Sequence, residues 1–346
     1  PVCVALLALL LTGLPSESPR WREFVEADWI GIVGLSIGLS SLTVVLEEGQ
    51  RNQWFESNEI VAMSAIAALG FVLIAVSQLV ADKPIMRLSL LRNIRYASVI
   101  LIVSAVGAGI YGISYLVPQF LSLIAGYNAE QSGGIMLLAG LPAFLVMPIL
   151  PRLLNKVDFR VLVVSGLACF VISCFIDTGL TSQSAGHDFL WSQLLRGVGQ
   201  MLAMMPLNQA SMAAVSREES ADAAGLYNMA RNLGGSVGLA IIGVVIDRRN
   251  SFHIEAIRES VTANSLRGQE RIAADAAGWL ARASDAAHAN RQALGQFAEQ
   301  IQVQAMVMTY SETFYVLAIA LLVCIPLALL LRTPKQMSVD ARAAGH

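Results

Sequence analysis

An arginine and two asparagines interrupt residues 223–243, a stretch otherwise rich in Ala, Gly, Leu, Ile and Val. At about 100° per residue, Asn228, Arg231 and Asn232 fall on one arc of a helix. An arginine at the centre of a membrane-spanning helix costs roughly 2.5–3.5 kcal/mol, so it is expected to face a protein interior or a water-filled cavity. This face is therefore a candidate substrate or coupling pathway. A packing face on which carbonyls or a carboxylate satisfy Arg231 is an alternative that the sequence supports equally.

A second charged residue, Arg196, lies in the stretch 189–215, which is also rich in methionine. Arg196 shares a helical face with Gln200, and Met204 belongs to a methionine stripe on another face. Thioether side chains are flexible and polarizable, so such a stripe suits a surface that accepts ligands of varied shape, although ordinary packing is the more frequent explanation. Arg196 and Met204 are assigned to the same candidate pathway.

Two tyrosines and a glutamine share one face near the middle of the long apolar stretch 96–125. Tyr111, Tyr115 and Gln119 follow one another at a spacing of four residues. Tyrosine hydroxyls in a bilayer interior need partners. A cavity lined by aromatic rings with a glutamine beside them suits amphipathic or cationic organic molecules. Helix packing with internal hydrogen bonds is the alternative.

Two glycine pairs with GxxxG spacing, Gly34 with Gly38 and Gly234 with Gly238, predict close helix packing. The stretch GLSIG at Gly34 also matches the GxSxG pattern of serine hydrolases, but that pattern needs a strand-to-helix turn and a histidine partner. Here it lies inside a predicted span, and no histidine lies within one. HExxH, Walker and dinucleotide patterns are missing from the sequence, so neither an enzyme, a metal site nor an organic cofactor is expected.

Composition indicates a polytopic membrane protein. Of the 346 residues, 55% are hydrophobic and 14% are charged, against about a quarter charged in a typical soluble domain. The formal net charge of -2 gives no basic surface for nucleic acid. The four cysteines lie in apolar runs without CxxC spacing, so a disulfide framework is not indicated.

Eight stretches of about 20 mostly apolar residues are long enough to cross a bilayer as helices. They are 28–47, 59–81, 96–125, 131–151, 160–180, 189–215, 221–246 and 306–331. Lys and Arg accumulate in one set of alternate short loops, which is typical of the cytoplasmic side. We predict an all-α, multi-pass protein with its C-terminus in the cytoplasm.

The spans divide the chain into consecutive units, of which the first, residues 1–14, is interpreted as the tail of a truncated transmembrane helix. The other predicted units are a cytoplasmic linker at 15–27, a pair of transmembrane helices at 28–81, an amphipathic cytoplasmic linker at 82–95, a six-helix bundle at 96–332, and a cytoplasmic tail at 333–346. Within the bundle, residues 248–305 form a long extracytoplasmic loop, part of which is expected to form surface helices.

Several of these stretches together resemble one family of membrane proteins. AAGLYNMARNLGGSVGLAI at 223–241 looks like the thirteenth helix of the fourteen-helix drug:proton antiporters of the major facilitator superfamily, the EmrB/QacA type. LVPQFLS at 116–122 is similar to part of their ninth helix, LLRGVGQMLAMMPL at 194–207 to the twelfth, and QAMVMTYSETF at 304–314 to the start of the fourteenth. The likeness runs along nearly the whole chain.

The resemblance implies a fold and a function. The eight spans would be helices seven to fourteen, with 28–81 as the inserted pair between two six-helix halves and the first five helices absent. The expected function is proton-coupled efflux of small amphipathic or cationic organic compounds by alternating access, driven by the proton gradient without a cofactor. Exporting a single dedicated metabolite, or serving as a non-transporting scaffold or receptor, are the alternatives.

The resemblance also implies a location and partners. The expected location is the bacterial cytoplasmic membrane, where the lipid bilayer and small-molecule substrates are the partners, together with the missing N-terminal half. Members of the EmrB branch are associated with a periplasmic adaptor, which would lead to an outer-membrane channel. Residues 248–305 are one surface that could meet the adaptor.

Three positions depart from the family pattern that the resemblance implies. PRLLNKVDFR at 151–160 stands where the family's cytoplasmic loop motif recurs, with Pro151 in place of its glycine and Asn155 in place of its aspartate. The positive charge of the loop is kept, and its residues are Arg152, Lys156, Asp158 and Arg160. Glu312 stands where many members have Asp, so it keeps the carboxyl group and joins the candidate coupling pathway.

Overall fold

A computed structural model describes the fold of residues 2–13, 27–81, 84–216, 219–260, 266–280 and 286–331. Those residues form helices and their connections, and no strand is found among them. The all-α prediction is therefore confirmed. The predicted linker at 15–27 and the tail at 333–346 lie almost entirely outside the described residues.

The α-helices within the described residues follow one another along the chain. They are α1 (Val2–Gly13), α2 (Trp29–Glu48), α3 (Asn58–Val80), α4 (Ile94–Leu123), α5 (Ala129–Leu137), α6 (Leu141–Lys156), α7 (Phe159–Asp177), α8 (Leu190–Ala213), α9 (Ser220–Ser260), α10 (Leu266–Leu280) and α11 (Ala286–Leu330). Short 3-10 helices lie at Trp54–Glu56, Leu88–Arg92 and Gly186–Phe189.

Seven helical segments in the described part of the chain are long and apolar enough to cross a membrane. They are α2, α3, α4, the α5–α6 unit, α7, α9 and α11. Helix α8, the predicted span at 189–215, has the length but is not among these seven. Its polar residues Gln193 and Arg196 are buried against neighbouring helices, which explains how a less apolar helix is accommodated there.

Helical structure continues through much of the predicted loop 248–305. Helix α9 extends to Ser260 and α11 begins at Ala286, with α10 between them. This stretch is rich in Ala, Glu, Gln and Arg and contains no proline, and such residues favour helix. We call residues 248–260 of α9, all of α10, and residues 286–305 of α11 the protrusion.

Two other boundaries differ from the predicted ones. The span 131–151 is divided into α5 and α6 at Gly140, two residues before Pro142. The linker 82–95, expected to hold an amphipathic helix, instead contains the 3-10 helix Leu88–Arg92, and its Ile94 and Arg95 already belong to α4. The reason is that Asn93 already caps α4, its side chain accepting a hydrogen bond from the Arg95 backbone N–H at 3.1 Å.

The two ends of the bundle are each held together by hydrogen bonds between connections. At one end, the Asn93 amide donates to the Ala214 carbonyl at 2.9 Å. We call this the basic end, because the arginines of the 84–93 segment lie there. At the opposite end, the Gly186 backbone N–H donates to the Tyr127 hydroxyl at 3.1 Å.

Helices α4 and α9 lie side by side at backbone contact. A Cβ atom on Gly234 or Gly238 would overlap Ser104 or Ala108 of α4, and one on Gly107 would overlap the Arg231 carbonyl oxygen. Small residues at such positions allow close approach of helices inside a membrane. Helices α2 and α3 approach one another in the same way.

The α2–α3 contact involves the other predicted glycine pair. A Cβ on Gly34 would lie 2.8 Å from the Leu73 Cβ, and one on Gly38 would lie 3.2 Å from the Gly70 carbonyl carbon. These distances leave almost no room for a larger side chain. Helix α2 of this hairpin packs against α9.

Replacing Gly234 with alanine should destabilise the bundle, because the added methyl group meets the Ser104 backbone, which cannot move aside. Overpacking of this kind costs about 1–3 kcal/mol. The measurement is the thermal unfolding midpoint of the full-length protein in detergent. Gly133→Ala is the matched control, since no atom lies within 4 Å of its added methyl group. Equal midpoints for the two variants would contradict the close contact.

Candidate functional site

The polar face predicted on α9 is partly open in the structure. Asn228 and Asn232 are exposed, and Arg231 is partly buried. Within the described residues, no hydrogen bond or ion pair to the Arg231 side chain is present. Its backbone carbonyl contacts Gly107 of α4. The α9 helix thus presents an unpaired guanidinium between two amides in its membrane-spanning part.

Helix α4 contributes the tyrosines that sequence analysis singled out. The Tyr111 hydroxyl lies 3.5 Å from the Asn232 side-chain oxygen, which joins the α4 and α9 faces. One turn further, the Gln119 amide donates to the Tyr115 hydroxyl at 2.8 Å. The Tyr310 hydroxyl of α11 donates to the Gln119 carbonyl oxygen at 3.0 Å. We call Tyr111, Tyr115, Gln119, Asn228, Arg231 and Asn232 the polar face.

Tyr310 was not identified from the sequence. It is fully buried. It lies near the predicted start of the last span, where a tyrosine is typical of the membrane–water interface. Glu47 was missed for a similar reason, since it lies in the last turn of α2, where a charged residue is expected at the membrane interface. Its carboxylate accepts a hydrogen bond from the buried Ser236 hydroxyl of α9 at 2.9 Å, which fixes the α2–α3 hairpin against α9.

Arg196 lies elsewhere, in a closed ion pair between α7 and α8. Its Nη2 atom is 2.5 Å from the Asp177 Oδ2 atom, and the two side chains are 4% and 0% exposed. The Gln193 side-chain oxygen accepts a further hydrogen bond from Arg196 at 3.0 Å. The structure therefore separates Arg196 from the polar face, because a carboxylate at the end of α7 satisfies its charge inside the protein.

Met204 is also part of the packed interior. Its backbone carbonyl accepts a hydrogen bond from the Tyr227 hydroxyl at 3.1 Å, and its side chain packs against a core cluster that contains Val103 and Leu207. The methionine stripe at this position serves the contact between α8 and α9 rather than an open surface.

Glu312 occupies a third polar cluster, at the base of the protrusion. Its carboxylate accepts hydrogen bonds from two guanidinium nitrogens of Arg249, with Nε–Oε2 at 2.5 Å and Nη2–Oε1 at 2.7 Å. The His253 Nε2 atom lies 2.9 Å from the same Oε2 atom. Arg249 and His253 were missed because residues 248–305 were expected to form an extracytoplasmic loop with separate surface helices. Both instead lie on α9, which continues from the membrane span without a break, and His253 is buried.

The basic loop between α6 and α7 has a local structural role. Asp158 caps α7, since its side chain accepts a hydrogen bond from the Arg160 backbone N–H at 3.0 Å. Arg152 and Lys156 are exposed, and Arg160 is partly buried. These charges lie at one end of the helices, away from the polar face.

Comparison with known proteins places the chain in a family. The family model described as Major Facilitator Superfamily matches residues 1–239. The chain belongs to the major facilitator superfamily. The helical fold expected from this superfamily is thereby confirmed, and the chain is a multi-pass membrane protein.

Relatives of this chain include proteins of the EmrB type, which confirms the resemblance found in the sequence. The chain is 27% identical to the colistin resistance protein EmrB of Acinetobacter baumannii over 92% of this chain and 62% of that protein. It is 28% identical to the multidrug export protein EmrB of Escherichia coli K12 over 96% and 64%. It is 26% identical to the fatty acid resistance protein FarB of Neisseria gonorrhoeae over 89% and 59%. The chain thus spans less than two thirds of the length of these relatives.

Asp177→Asn should destabilise the protein strongly, because it leaves the Arg196 charge buried without a counter-charge. Removing one partner of a buried ion pair costs about 3–5 kcal/mol. The thermal unfolding midpoint of the full-length protein is the measurement.

The matched control is the double variant Asp177→Leu with Arg196→Met, which removes both charges and should regain much of the stability. An Asp177→Asn variant that unfolds at the wild-type temperature but loses transport would instead place the pair in the transport pathway.

Proposed function

We propose that this protein is a proton-coupled efflux transporter that exports small amphipathic or cationic organic compounds by alternating access. The observation that carries the proposal is Arg231, a guanidinium without a protein partner among the described residues, in the membrane-spanning part of α9. It stands beside Asn232, which contacts Tyr111 of α4. Such a face suits organic molecules that combine apolar groups with polar ones.

An unpaired charge at membrane depth needs water or a polar partner. The polar face would therefore border a hydrated gap that a second helical bundle closes, and transport would proceed by rocking of the two bundles around this gap. The relatives are longer than this chain, which leaves room in such proteins for a second bundle. Arg231, Asn228, Asn232, Tyr111, Tyr115 and Gln119 would line the substrate path.

Proton coupling requires a carboxylate that gains and loses a proton during the cycle. Asp177, Asp222 and Glu312 each already have a cationic partner in the structure. We therefore propose that the principal coupling carboxylate lies in the second bundle. Glu312 would act within the pathway at the base of the protrusion, where breaking its contact with Arg249 would remove the polar link between α9 and α11.

The names of the relatives support a broad substrate range. They refer to colistin, to multiple drugs and to fatty acids. Of these, colistin and fatty acids are both amphipathic, although their structures differ. The multidrug function therefore fits the relatives better than export of a single metabolite.

Arg231→Ala should abolish efflux while leaving insertion and folding intact, because the hydrated path loses its fixed charge. The measurement is efflux of ethidium, driven by an imposed pH gradient, from proteoliposomes that contain the full-length protein. We expect a decrease of at least about tenfold, equivalent to about 1.4 kcal/mol in the barrier. Ile241→Ala, at an exposed apolar position of the same helix, is the matched control.

Unchanged efflux by the Arg231→Ala variant would remove Arg231 from the pathway. The same proteoliposomes, loaded with several chemically unrelated dyes, give the substrate range of the wild type. Movement of one dye alone would support a dedicated exporter. No movement of any dye by folded protein would support a non-transporting scaffold or receptor.

We propose that the protein lies in the bacterial cytoplasmic membrane with the basic end and the C-terminus in the cytoplasm, as the distribution of Lys and Arg favours. The protrusion would then stand outside. Its helices pack on one another: Ala276, Ala289 and Ala293 are buried, and the Trp279 indole donates to the Gln296 side chain at 3.1 Å. A packed helical surface of this kind could bind a periplasmic adaptor that leads to an outer-membrane channel.

Replacing residues 266–280 with a short Gly-Ser linker should abolish co-purification of the adaptor with the full-length protein, since it removes α10 from the protrusion. Dye efflux in proteoliposomes without adaptor should stay close to that of the wild type, which controls for folding. Intact co-purification would exclude α10 as the contact surface.

A further inference from the structure

A cavity of about 620 Å³ separates α2 of the inserted pair from the basic half of α9. Leu35, Leu39, Ser40 and Thr43 of α2 form one wall, and the facing wall belongs to α9. A volume of this size is typical of sites for small organic molecules. The cavity shares only Asn232 with the polar face described above, and α2 contributes nothing to that face.

Two hydroxyls in this cavity have unused hydrogen-bonding capacity. Within the described residues, neither Ser40 nor Thr43 makes a hydrogen bond to a protein group. Helical Ser and Thr hydroxyls can bond the carbonyl one turn earlier. Ser64 and Ser104 of this protein do so, at 2.7 and 2.9 Å. Among the described residues Ser40 and Thr43 make no such bond, and both line the cavity.

The facing wall has an unused donor of its own. Asn232 lines the cavity and uses its side-chain oxygen toward Tyr111, which leaves the amide NH2 group without a described protein partner. Unsatisfied polar groups at membrane depth cost free energy. Three such groups around one cavity indicate a polar occupant, whereas an acyl chain would leave all of them unpaired.

The cavity also contains a carboxylate, Asp222, at the basic end. Its Oδ2 atom lies 3.1 Å from the Arg87 Nε atom, with side chains 27% and 42% exposed. The Arg87 Nη1 atom also lies 3.8 Å from the Glu219 Oε1 atom. A hydrogen bond from the Ser216 hydroxyl holds the pKa of Glu219 below its usual range. Exposed ion pairs contribute only about 0–1 kcal/mol. A cationic group of a ligand can therefore replace Arg87 at Asp222.

The 84–93 segment closes the cavity at this end with Ile85 and Met86, and hydrogen bonds to α2 and α3 hold it in place. The Asp28 carboxylate accepts a hydrogen bond from the Ile85 backbone N–H at 3.1 Å, and the Gln78 amide donates to the Met86 carbonyl at 2.8 Å. Burial raises the pKa of Asp28, but hydrogen bonds from Ser77 and from the Gly31 and Ile85 backbone outweigh this, so the net pKa lies below its usual range. An ionised Asp28 keeps the segment anchored, and the cavity is largely formed without ligand.

We infer that this cavity is a binding site for amphipathic organic cations, with the cationic group at Asp222, hydrogen-bonding groups at Ser40, Thr43 and Asn232, and the apolar body against Leu35, Leu39 and Met229. This inference deepens the proposed function and rests on it. Asn232 belongs to both the cavity and the polar face, so the cavity is an access site for substrate. Helix α2 of the inserted pair thereby determines part of the substrate specificity.

The test uses ethidium, a planar organic cation with two amino groups, and the purified full-length protein. Thr43→Trp fills the cavity, and its affinity for ethidium, measured by fluorescence titration, should fall at least about tenfold, equivalent to 1.4 kcal/mol. Ile37→Trp, on an exposed part of α2 away from the cavity, is the matched control and should bind within about twofold of the wild type. Thermal unfolding midpoints establish that both variants are folded.

A second measurement does not depend on a bulky substitution. In a background in which Cys3 and Cys169 are replaced by serine, Thr43→Cys should react with a membrane-permeant maleimide, and ethidium should slow this reaction. Ile37→Cys should react at the same rate with and without ethidium. Absence of protection at Thr43, or wild-type affinity in Thr43→Trp, would overturn the inference.

The outcomes also separate the cavity from the proposed function. Phospholipid that co-purifies with the wild type and is lost from Thr43→Trp, with unchanged ethidium affinity, would identify a lipid site and overturn the inference alone. Ethidium binding that depends on Thr43, without any pH-driven efflux, would keep the site and overturn the proposed function. Absence of ethidium binding to the wild type would overturn the inference even where other dyes are exported.

Discussion

The backbone contact between α4 and α9 determines where the functional groups of this protein lie. Gly107, Gly234 and Gly238 leave no space between the two helices, so neither can rotate or slide without a clash. The polar residues of α9 are thereby held at a fixed height relative to the tyrosines of α4, and the contact between Asn232 and Tyr111 follows from it. Close packing is the main source of helix association inside a bilayer, where the hydrophobic effect does not act between helices.

Helix α11 adds a second constraint, through three consecutive residues that each bind a different helix. Tyr310 donates to Gln119 of α4, the Ser311 hydroxyl donates to the Thr178 carbonyl just after α7, and Glu312 accepts from Arg249 of α9. Polar contacts inside a membrane protein are individually modest, at about 0.6–2 kcal/mol. Because these three contacts lie on one turn of α11, they fix the position of α11 along its axis relative to α4, α7 and α9.

The sequence predicted well those features that depend on the residues of one helix alone, namely where the helix lies in the chain and which residues share a face. Apolar length and period were enough to find α2, α3, α4, α7 and the polar residues of α9. The partner of Arg196 could not be predicted, because Asp177 lies on another helix and only packing brings the two together. The same holds for the cavity beside α2.

The protrusion shows a different limit of prediction. Its residues are polar, and hydropathy therefore separated them from the spans, although helix formation depends on backbone propensity and the absence of proline rather than on hydropathy. The ends of α9 and α11 in the protrusion, Ser260 and Ala286, lie well beyond the predicted ends of the apolar stretches at 246 and 306. His253 and Arg249 were consequently missed as neighbours of Glu312.

Helix α9 runs for 41 residues from the basic end into the protrusion, a length of about 60 Å at 1.5 Å per residue. Its backbone contains no proline along this path. The protrusion and the turn that bears Arg231 therefore belong to one continuous helix, with no intervening loop to uncouple the position of one from that of the other.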